Sequence, residues 1–274
     1  MTRRREIELH RQKLNEIRDI MDSMKTLAYM ETHKLNRFID SQHSLVNNIE
    51  NIAVDFLHFN PQVLPTIEST IDIILVIGSQ RGFCGDFNDV LLKHLELMDD
   101  FHTKDQTTLV LIGQKLHPLM ENGAFSKLYI EGANVAEEIS NVVEFIASTL
   151  ITYKQQQLSL YVLHHAAEGN SIVTEKLLPP FLNLLQTKKE YFNHPPLLNV
   201  SPETFFLELT EHYLFNTLHR ILYDSLMAEN MQRVQHLQNA VKHLDDKTGE
   251  LARKTNTLRQ EEIIEEIEII LLNT

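Results

Sequence analysis

The sequence predicts an α/β protein in which a long antiparallel coiled coil of the N- and C-terminal helices carries an inserted Rossmann-like α/β domain. Three observations predict it. From about Glu203 to Leu272 the chain has no proline and one glycine, Gly249. From about Thr2 to His58 it has no proline at all, and its apolar residues recur at alternating three- and four-residue steps. Between these ends the apolar spacing changes to short β-branched runs that alternate with helical stretches.

The C-terminal stretch would reach roughly 100 Å as one unbroken helix, more than a domain of this chain could span. Its middle carries Met227, Asn230, Val234, Leu237, Val241, Leu244, Thr248, Leu251, Thr255 and Leu258, a coiled-coil seam with polar interruptions. A lone helix cannot bury a seam, so the N-terminal helix is its partner. Ile7, Leu14, Ile17, Met21, Met24, Ala28, Leu35, Phe38, Leu45, Ile49, Ile52 and Phe56 share one register there, with His10, Glu31 and Gln42 as its polar positions. The boundaries that follow are 1–60 for the first helix, 68–200 for the inserted domain and 203–274 for the last helix.

Inside the insertion, Pro61 and Pro65 mark a connector. Ile71 to Gly78 reads as a buried parallel-type strand, Asp89 to Phe101 as a helix, and Thr107 to Gly113 as a second buried strand. Gln114 to Glu121 is a short helix interrupted by Pro118, Lys127 to Ile130 a short strand, and Val135 to Tyr153 an amphipathic helix. Leu158 to His164 is a further strand, and Ser171 to Leu178 an extended segment before Pro179-Pro180. Gln186 to Asn199, with Pro195-Pro196, is a loop returning to the long helix.

Composition narrows the function. The net charge of −13 argues against nucleic acid as the main partner, because phosphate binding needs a basic face. A single cysteine, Cys84, precludes an intrachain disulfide framework and fits a reducing compartment. No apolar run is long enough to span a bilayer, and no h-region follows Arg3-Arg4-Arg5, so neither a membrane span nor a signal peptide is expected.

The loop from Gly78 to Asn88 lies at the carboxyl end of a parallel-type strand, where α/β folds bind ligands. It lacks the Gly-Lys-Ser/Thr of a phosphate-cradling loop, and glycines at 78, 82 and 85 do not fit the dinucleotide spacing. Those glycines read as turn and packing positions. Cys84 could act as a nucleophile with His164 or His165 as base, but no cysteine-hydrolase context surrounds it, and a packed thiol is the plainer reading. No His-Glu-x-x-His pair or Cys/His cluster points to a metal, and no cofactor is expected. Near the C-terminus, Glu261, Glu262, Glu265, Glu266 and Glu268 alternate with Ile263, Ile264, Ile267, Ile269 and Ile270. These isoleucines are too many for one seam, so this tip is expected to enter an apolar sleeve made by other chains.

Three stretches carry a family resemblance. Ser79-Gln80-Arg81-Gly82-Phe83-Cys84-Gly85-Asp86-Phe87-Asn88 resembles the Ser-Asp-Arg-Gly-Leu-Cys-Gly-Gly-Leu-Asn motif of the gamma subunits of F-type ATP synthases. Leu222-Tyr223-Asp224-Ser225-Leu226-Met227-Ala228-Glu229 is similar to that family's Leu-Tyr-Glu-Ser-Leu-Ala-Ser-Glu helix. Asn256 to Ile267 resembles its Asn-x-x-Arg-Gln-x-x-Ile-Thr-x-Glu-Ile motif, and the order of parts is the same. Departures mark a divergent member. Ile20 to Leu27 keeps little beyond Lys25 of the first-helix motif, Asp86 replaces a glycine, Ile264 a threonine, and Ile269 stands where a glutamate is usual.

The resemblance implies a non-catalytic rotor shaft that couples ion translocation through a membrane c-ring to ATP synthesis or hydrolysis on alpha and beta subunits. It implies an epsilon subunit as a further partner, and a peripheral place on the cytoplasmic face of a bacterial inner membrane, with membrane association through the complex only. It implies that Lys25, Arg233, Arg259 and Gln260 contact the surrounding ring, and that Arg81, Gly82, Cys84, Gly85 and Asn88 form a structural loop. Two readings from other classes stay open on the residues alone: an α/β ligand-binding enzyme with a helical dimerisation arm, and a coiled-coil adaptor.

Overall fold

The structure is a computed structural model and describes residues 3–64, 71–98, 107–120, 126–152, 158–168, 171–182 and 194–272. In chain order the main elements are α1 (Arg3–Phe59), β1 (Ile71–Ile77), α2 (Phe87–Glu96), β2 (Thr107–Ile112), β3 (Ser126–Ile130), α3 (Ile139–Ile151), β4 (Leu158–His165), β5 (Ile172–Leu178) and α4 (Pro202–Leu272). Two compact units emerge: Met1–Tyr29 with Arg233–Thr274, and Met30–Gln232.

The first unit pairs the outer parts of α1 and α4. Arg4 meets Glu262 at 2.9 Å and Arg18 meets Asp245 at 3.0 Å, so one helix climbs as the other descends and the pair is antiparallel. Both pairs are partly exposed and report direction more than stability. The α4 seam is as its spacing predicts. Leu237, Val241 and Thr255 are buried, while Val234, Leu244, Thr248, Leu251 and Leu258 are half-buried. Beyond Leu258 the isoleucines stand in the open: Ile264 is 55% and Ile270 65% exposed.

The second unit is a mixed five-stranded sheet in the order β3-β2-β1-β4-β5. β1 runs parallel to β2 and β4, β2 parallel to β3, and β5 antiparallel to β4. Successive residues of a strand point to opposite faces, and β1 divides accordingly. Ile73, Leu75 and Ile77 pack with Leu35 of α1, with Ile139, Val143 and Ile146 of α3, and with Leu218, Ile221 and Leu222 of α4. Ile74 and Val76 pack with Leu91 and Leu95 of α2. Because both faces are covered, β1 and β2 read as continuous apolar runs rather than alternating ones. A third cluster joins Val46, Ala53, Phe56 and Leu57 of α1 to Leu209 and Tyr213 of α4, with Phe181 between.

Several boundaries differ from the sequence reading. The expected helix Gln114 to Glu121 is a turn leading into a 3-10 turn at His117–Met120, because Pro118 cannot supply the amide an α-helix needs; Glu121 lies outside the described residues. The helix expected from Asp89 begins at Phe87 and ends at Glu96, with Phe101 outside the described residues. The helix expected from Val135 opens as a 3-10 turn at Ala136–Glu138 before α3 begins, and Tyr153 lies outside the described residues. The extended segment after Ser171 is a strand of the sheet, β5. Of the Gln186 to Asn199 loop, residues 186–193 lie outside the described residues. α4 begins at Pro202, where a fixed φ and a missing amide suit the first turn.

The α1 register drifts. Ile17, Phe38, Leu45 and Ile52, all on the expected seam, are exposed, while Thr32, Val46 and Ala53 are buried and Ile39 half-buried. A straight helix has 3.6 residues per turn, so a strict seven-residue pattern slips by about 20° per heptad, and over 57 residues the buried face passes to the neighbouring positions. Substitutions separate the two. Leu35 is fully buried and Leu45 is 42% exposed. Leu35→Ala is expected to cost about 2–5 kcal/mol of unfolding free energy and Leu45→Ala less than about 1. Urea unfolding of the full chain, followed by circular dichroism, checks the ranking, and equal costs would mean that the register drift is wrong.

Candidate functional site: the crest of the sheet

The sheet's carboxyl edge is where an α/β fold ordinarily receives a ligand, and the loop after β1 occupies it. Gly78 donates to the carbonyl of Ile112 at 2.9 Å. A Cβ at Gly78 would lie 2.8 Å from Asn88 Oδ1 and 2.9 Å from Leu116 Cβ, so the close approach of loop and helix requires glycine. Gly113 has a φ of 108°, and a Cβ there would come within 2.6 Å of the Gly78 carbonyl oxygen. Asn88 closes the loop from α2. Its Oδ1 accepts from the Ser79 amide at 3.0 Å and its Nδ2 donates to Ser79 Oγ at 2.9 Å.

Two further amides of the loop are satisfied from α4. The backbone amides of Gln80 and Arg81 donate to Oε2 and Oε1 of Glu229, each at 3.1 Å. Glu229 is 4% exposed and sits on α4. Gln80 spreads its side chain across the sheet edge, where Oε1 accepts from the amides of Gln114 at 3.0 Å and Gly132 at 2.8 Å. Arg81 Nε donates to Asn134 Oδ1 at 3.0 Å. Gly85 adopts a φ of 62°, and Phe83, a residue with a Cβ, holds 65°. Cys84 is buried with Phe87 and Ala228, and its thiol faces the carbonyls of Arg81 and Gly82 at 3.3 and 3.4 Å. A Cβ at Gly82 would meet only Lys115 Cε, at 3.9 Å.

The two histidines weighed as bases for Cys84 are engaged elsewhere. His165 stacks on Phe87 at 3.8 Å between centroids, and its Nε2 lies 2.9 Å from the Phe87 carbonyl. Burial pushes its pKa below the ordinary value. His164 faces the carbonyl of His165 and, at 3.2 Å, the carboxylate of Glu175. Glu175 opens a chain of charges that the spacing of residues did not reveal. Arg220 bridges Glu175 and Asp224, and Asp224 meets His43 of α1 at 2.9 Å. Burial works against the Glu175 carboxylate, but the His164 contact and the Arg220 charge outweigh it and hold its pKa at about 2. Among the described residues no group of three or more His, Cys, Asp or Glu could hold a metal ion.

The four positions that the family resemblance assigns to partner contact all fall in the first unit. Lys25 is half-buried, with Nζ 2.6 Å from Asp22. Arg233 is buried, and Arg259 and Gln260 are exposed. Arg233 and Arg259 stand about seven turns apart on α4, so these positions form no single pocket. The crest residue that the sequence reading left without a role is Glu229. It lies within the Leu222 to Glu229 stretch, but nothing in its spacing points to the loop at Gln80.

Two long helices in antiparallel contact, with a mixed α/β sheet inserted between them in sequence and the loop at its carboxyl edge bonded to the chain's own Glu229, Gln80 and Asn88, define the class of fold. A family model described as ATP synthase matches residues 3–271. The ATP synthase gamma chain of Aliarcobacter butzleri is 26% identical over 273 residues, covering 94% of this chain and 88% of that one. The gamma chain of a Sulfurovum species is likewise 26% identical, covering 94% and 92%. A chain of the Euglena gracilis mitochondrial ATP synthase rotor superposes with a TM-score of 0.61 at 13% identity, covering 95% of this chain and 98% of that one. A chain of the Tetrahymena thermophila mitochondrial central stalk and c-ring structure gives 0.55 at 16% identity, covering 81% and 99%. The chain belongs to the ATP synthase family, as a divergent relative of the bacterial gamma chains.

Two outcomes follow from this geometry. The full chain is expected to show no nucleotide binding by calorimetry with ATP or ADP, and low-micromolar affinity that disappears on altering the Gly78 to Asn88 loop would count against a filled crest. The Glu175 carboxylate is held below its ordinary 4.5, so its contribution to stability is complete above that pH and is lost as pH falls towards about 2. Glu175→Gln is expected to flatten this part of the acid limb in a pH series of thermal midpoints. An unchanged acid limb would mean that the charge chain contributes nothing there.

Proposed function

We propose that this chain is the central rotor shaft of an F-type ATP synthase, the non-catalytic subunit that couples ion translocation to ATP synthesis or hydrolysis on partner chains. The observation that carries the reading is the C-terminal tip of α4. Its apolar residues from Ile263 to Leu272 are exposed, beyond the last seam residue, Leu258. A fully buried isoleucine contributes about 1.5–3 kcal/mol, so a row left in water calls for a covering surface. A ring of alternating alpha and beta subunits supplies that surface in this reading. An asymmetric helix pair turning inside such a ring presents a different face to each beta subunit and so biases its conformation.

The functional parts are then the helix 1–60, the domain 68–200 and the helix 203–274. The order β3-β2-β1-β4, with α2 between β1 and β2 and α3 between β3 and β4, supports reading the middle part as Rossmann-like. In this role it serves as a platform for the epsilon subunit and the membrane c-ring, not as a nucleotide site. Lys25, Arg233, Arg259 and Gln260 are the proposed polar contacts to the ring, with Arg259 and Gln260 exposed and free to reach outward. An arginine fork suits the bidentate engagement of a partner carboxylate. Arg81, Gly82, Cys84, Gly85 and Asn88 are proposed as structural residues of the crest loop. No helix among the described residues is long and apolar enough to cross a membrane. The proposed place is therefore peripheral, on the cytoplasmic face of a bacterial inner membrane and reached through the complex.

Removing Glu262 to Thr274 tests the reading. The truncated chain is expected to stay folded, with far-ultraviolet circular dichroism falling only in proportion to the helix removed. Reconstituted complexes are expected to pump fewer ions per ATP hydrolysed. A tagged full chain purified from native membranes is expected to bring down alpha, beta and epsilon subunits with ATPase activity. Global unfolding on truncation would mean that the tip belongs to the chain's own core, and purification without ATP synthase subunits would overturn the assignment.

A further inference from the structure

We infer that the Gln80–Arg81 turn is an oxyanion-binding site whose resident ligand is the chain's own Glu229 carboxylate, and that a small external carboxylate takes the site when that side chain is removed. Two successive backbone amides converge on one carboxylate, each on its own oxygen at 3.1 Å. Successive amides turned to one side make a concave donor surface for an anion. The surface stands at the carboxyl end of β1, in the middle of the parallel part of the sheet, where this class of fold holds anionic ligands. The setting suits negative charge, since the Arg81 guanidinium reaches Asn134 beside the loop and Lys115 passes next to Gly82.

The donors are fixed before any ligand arrives. Gln80 is clamped through its side chain to the amides of Gln114 and Gly132, and Ser79 is clamped by Asn88. The loop thus has anchors besides the carboxylate, and such pre-organisation favours replacement of a tethered anion by a free one. Glu229 is buried and reaches the site from α4, so an external anion is excluded while it is in place.

Chemical rescue tests it. Glu229→Ala removes Cγ and the carboxylate, the atoms of an acetate ion, and alanine leaves the helix backbone of α4 favourable. Losing a buried charged acceptor is expected to lower the thermal midpoint of the full chain by roughly 5–10 °C. Acetate is expected to raise the variant's midpoint saturably, and at about ten times its dissociation constant to multiply the folding equilibrium roughly tenfold. Chloride at the same ionic strength is expected to do much less, and the unaltered chain to respond to both salts alike. If the variant is unfolded in chloride, the same comparison is read as the folded fraction by circular dichroism. Acetate and chloride acting equally on Glu229→Ala would overturn the proposal, as would an equal acetate effect on the unaltered chain. An independent reading uses amide proton resonances. Those of Gln80 and Arg81 are expected to move upfield in Glu229→Gln, where a neutral amide with one acceptor oxygen replaces the carboxylate, and no movement would equally overturn it.

Discussion

α4 carries 71 residues in one helix, and a helix of that length has no means of burying its own apolar stripe. The rest of the chain supplies the cover. In the first unit α1 lies antiparallel against the seam from Val234 to Leu258. In the second, Leu218, Ile221, Leu222 and Leu226 form one cluster with Leu35 of α1, the odd-numbered residues of β1, and α3. The inserted sheet is thus not an independent body tethered to a helix. One of its faces takes α4 and α1 as the layer that a parallel sheet requires. From Ile263 to Leu272 every isoleucine and leucine of α4 is exposed.

The same dependence governs the crest. A parallel sheet ends in backbone donors and a loop, and in a ligand-binding relative of the fold class those donors meet an external anion. Here they meet Glu229, Asn88 and the Gln80 side chain. The helix that completes the hydrophobic core therefore also delivers the anion that completes the polar one. Along the neighbouring edge, His43, Asp224, Arg220, Glu175 and His164 link α1, α4, β5 and β4 by alternating charge and hydrogen bonds. Buried polar groups of this kind are favourable only when each has a partner. Such pairing restricts how the helices can slide on the sheet.

Much of this was legible from residue spacing. The α4 seam, the four parallel strands and the position of the crest loop followed from apolar period, β-branched runs and turn residues, each of which acts within a few residues. Glycines 78, 82 and 85 were legible as turn and packing positions, and the structure shows the atoms a Cβ at Gly78 would strike and the positive φ of Gly85, while Gly82 has room for a Cβ and Gly113, which the spacing did not single out, does not. The role of Glu229 was not legible, because its contact with Gln80 spans 149 positions and leaves no trace in the local pattern of either segment. Arg220 likewise reads as one more charge on a long helix until β5 places Glu175 beside it.

The sequence by itself determined the order of the long helices and the strands, because these depend on local sterics and on the 3.6- and 2-residue repeats, though the helix expected from Gln114 is a turn with a 3-10 turn. It also determined that the tip of α4 would outrun its seam, since Glu262 and Glu265 fall where apolar residues would have to continue it. Tertiary structure decided the register of α1. A seven-residue pattern and a 3.6-residue helix part company over many turns, so the buried face passed from Leu45 to Val46 and from Ile52 to Ala53. It also decided that the crest would be closed rather than open. That outcome depends on where a carboxylate on one helix comes to rest against two amides of a distant loop, a matter of distances of about 3 Å that only the packed chain fixes.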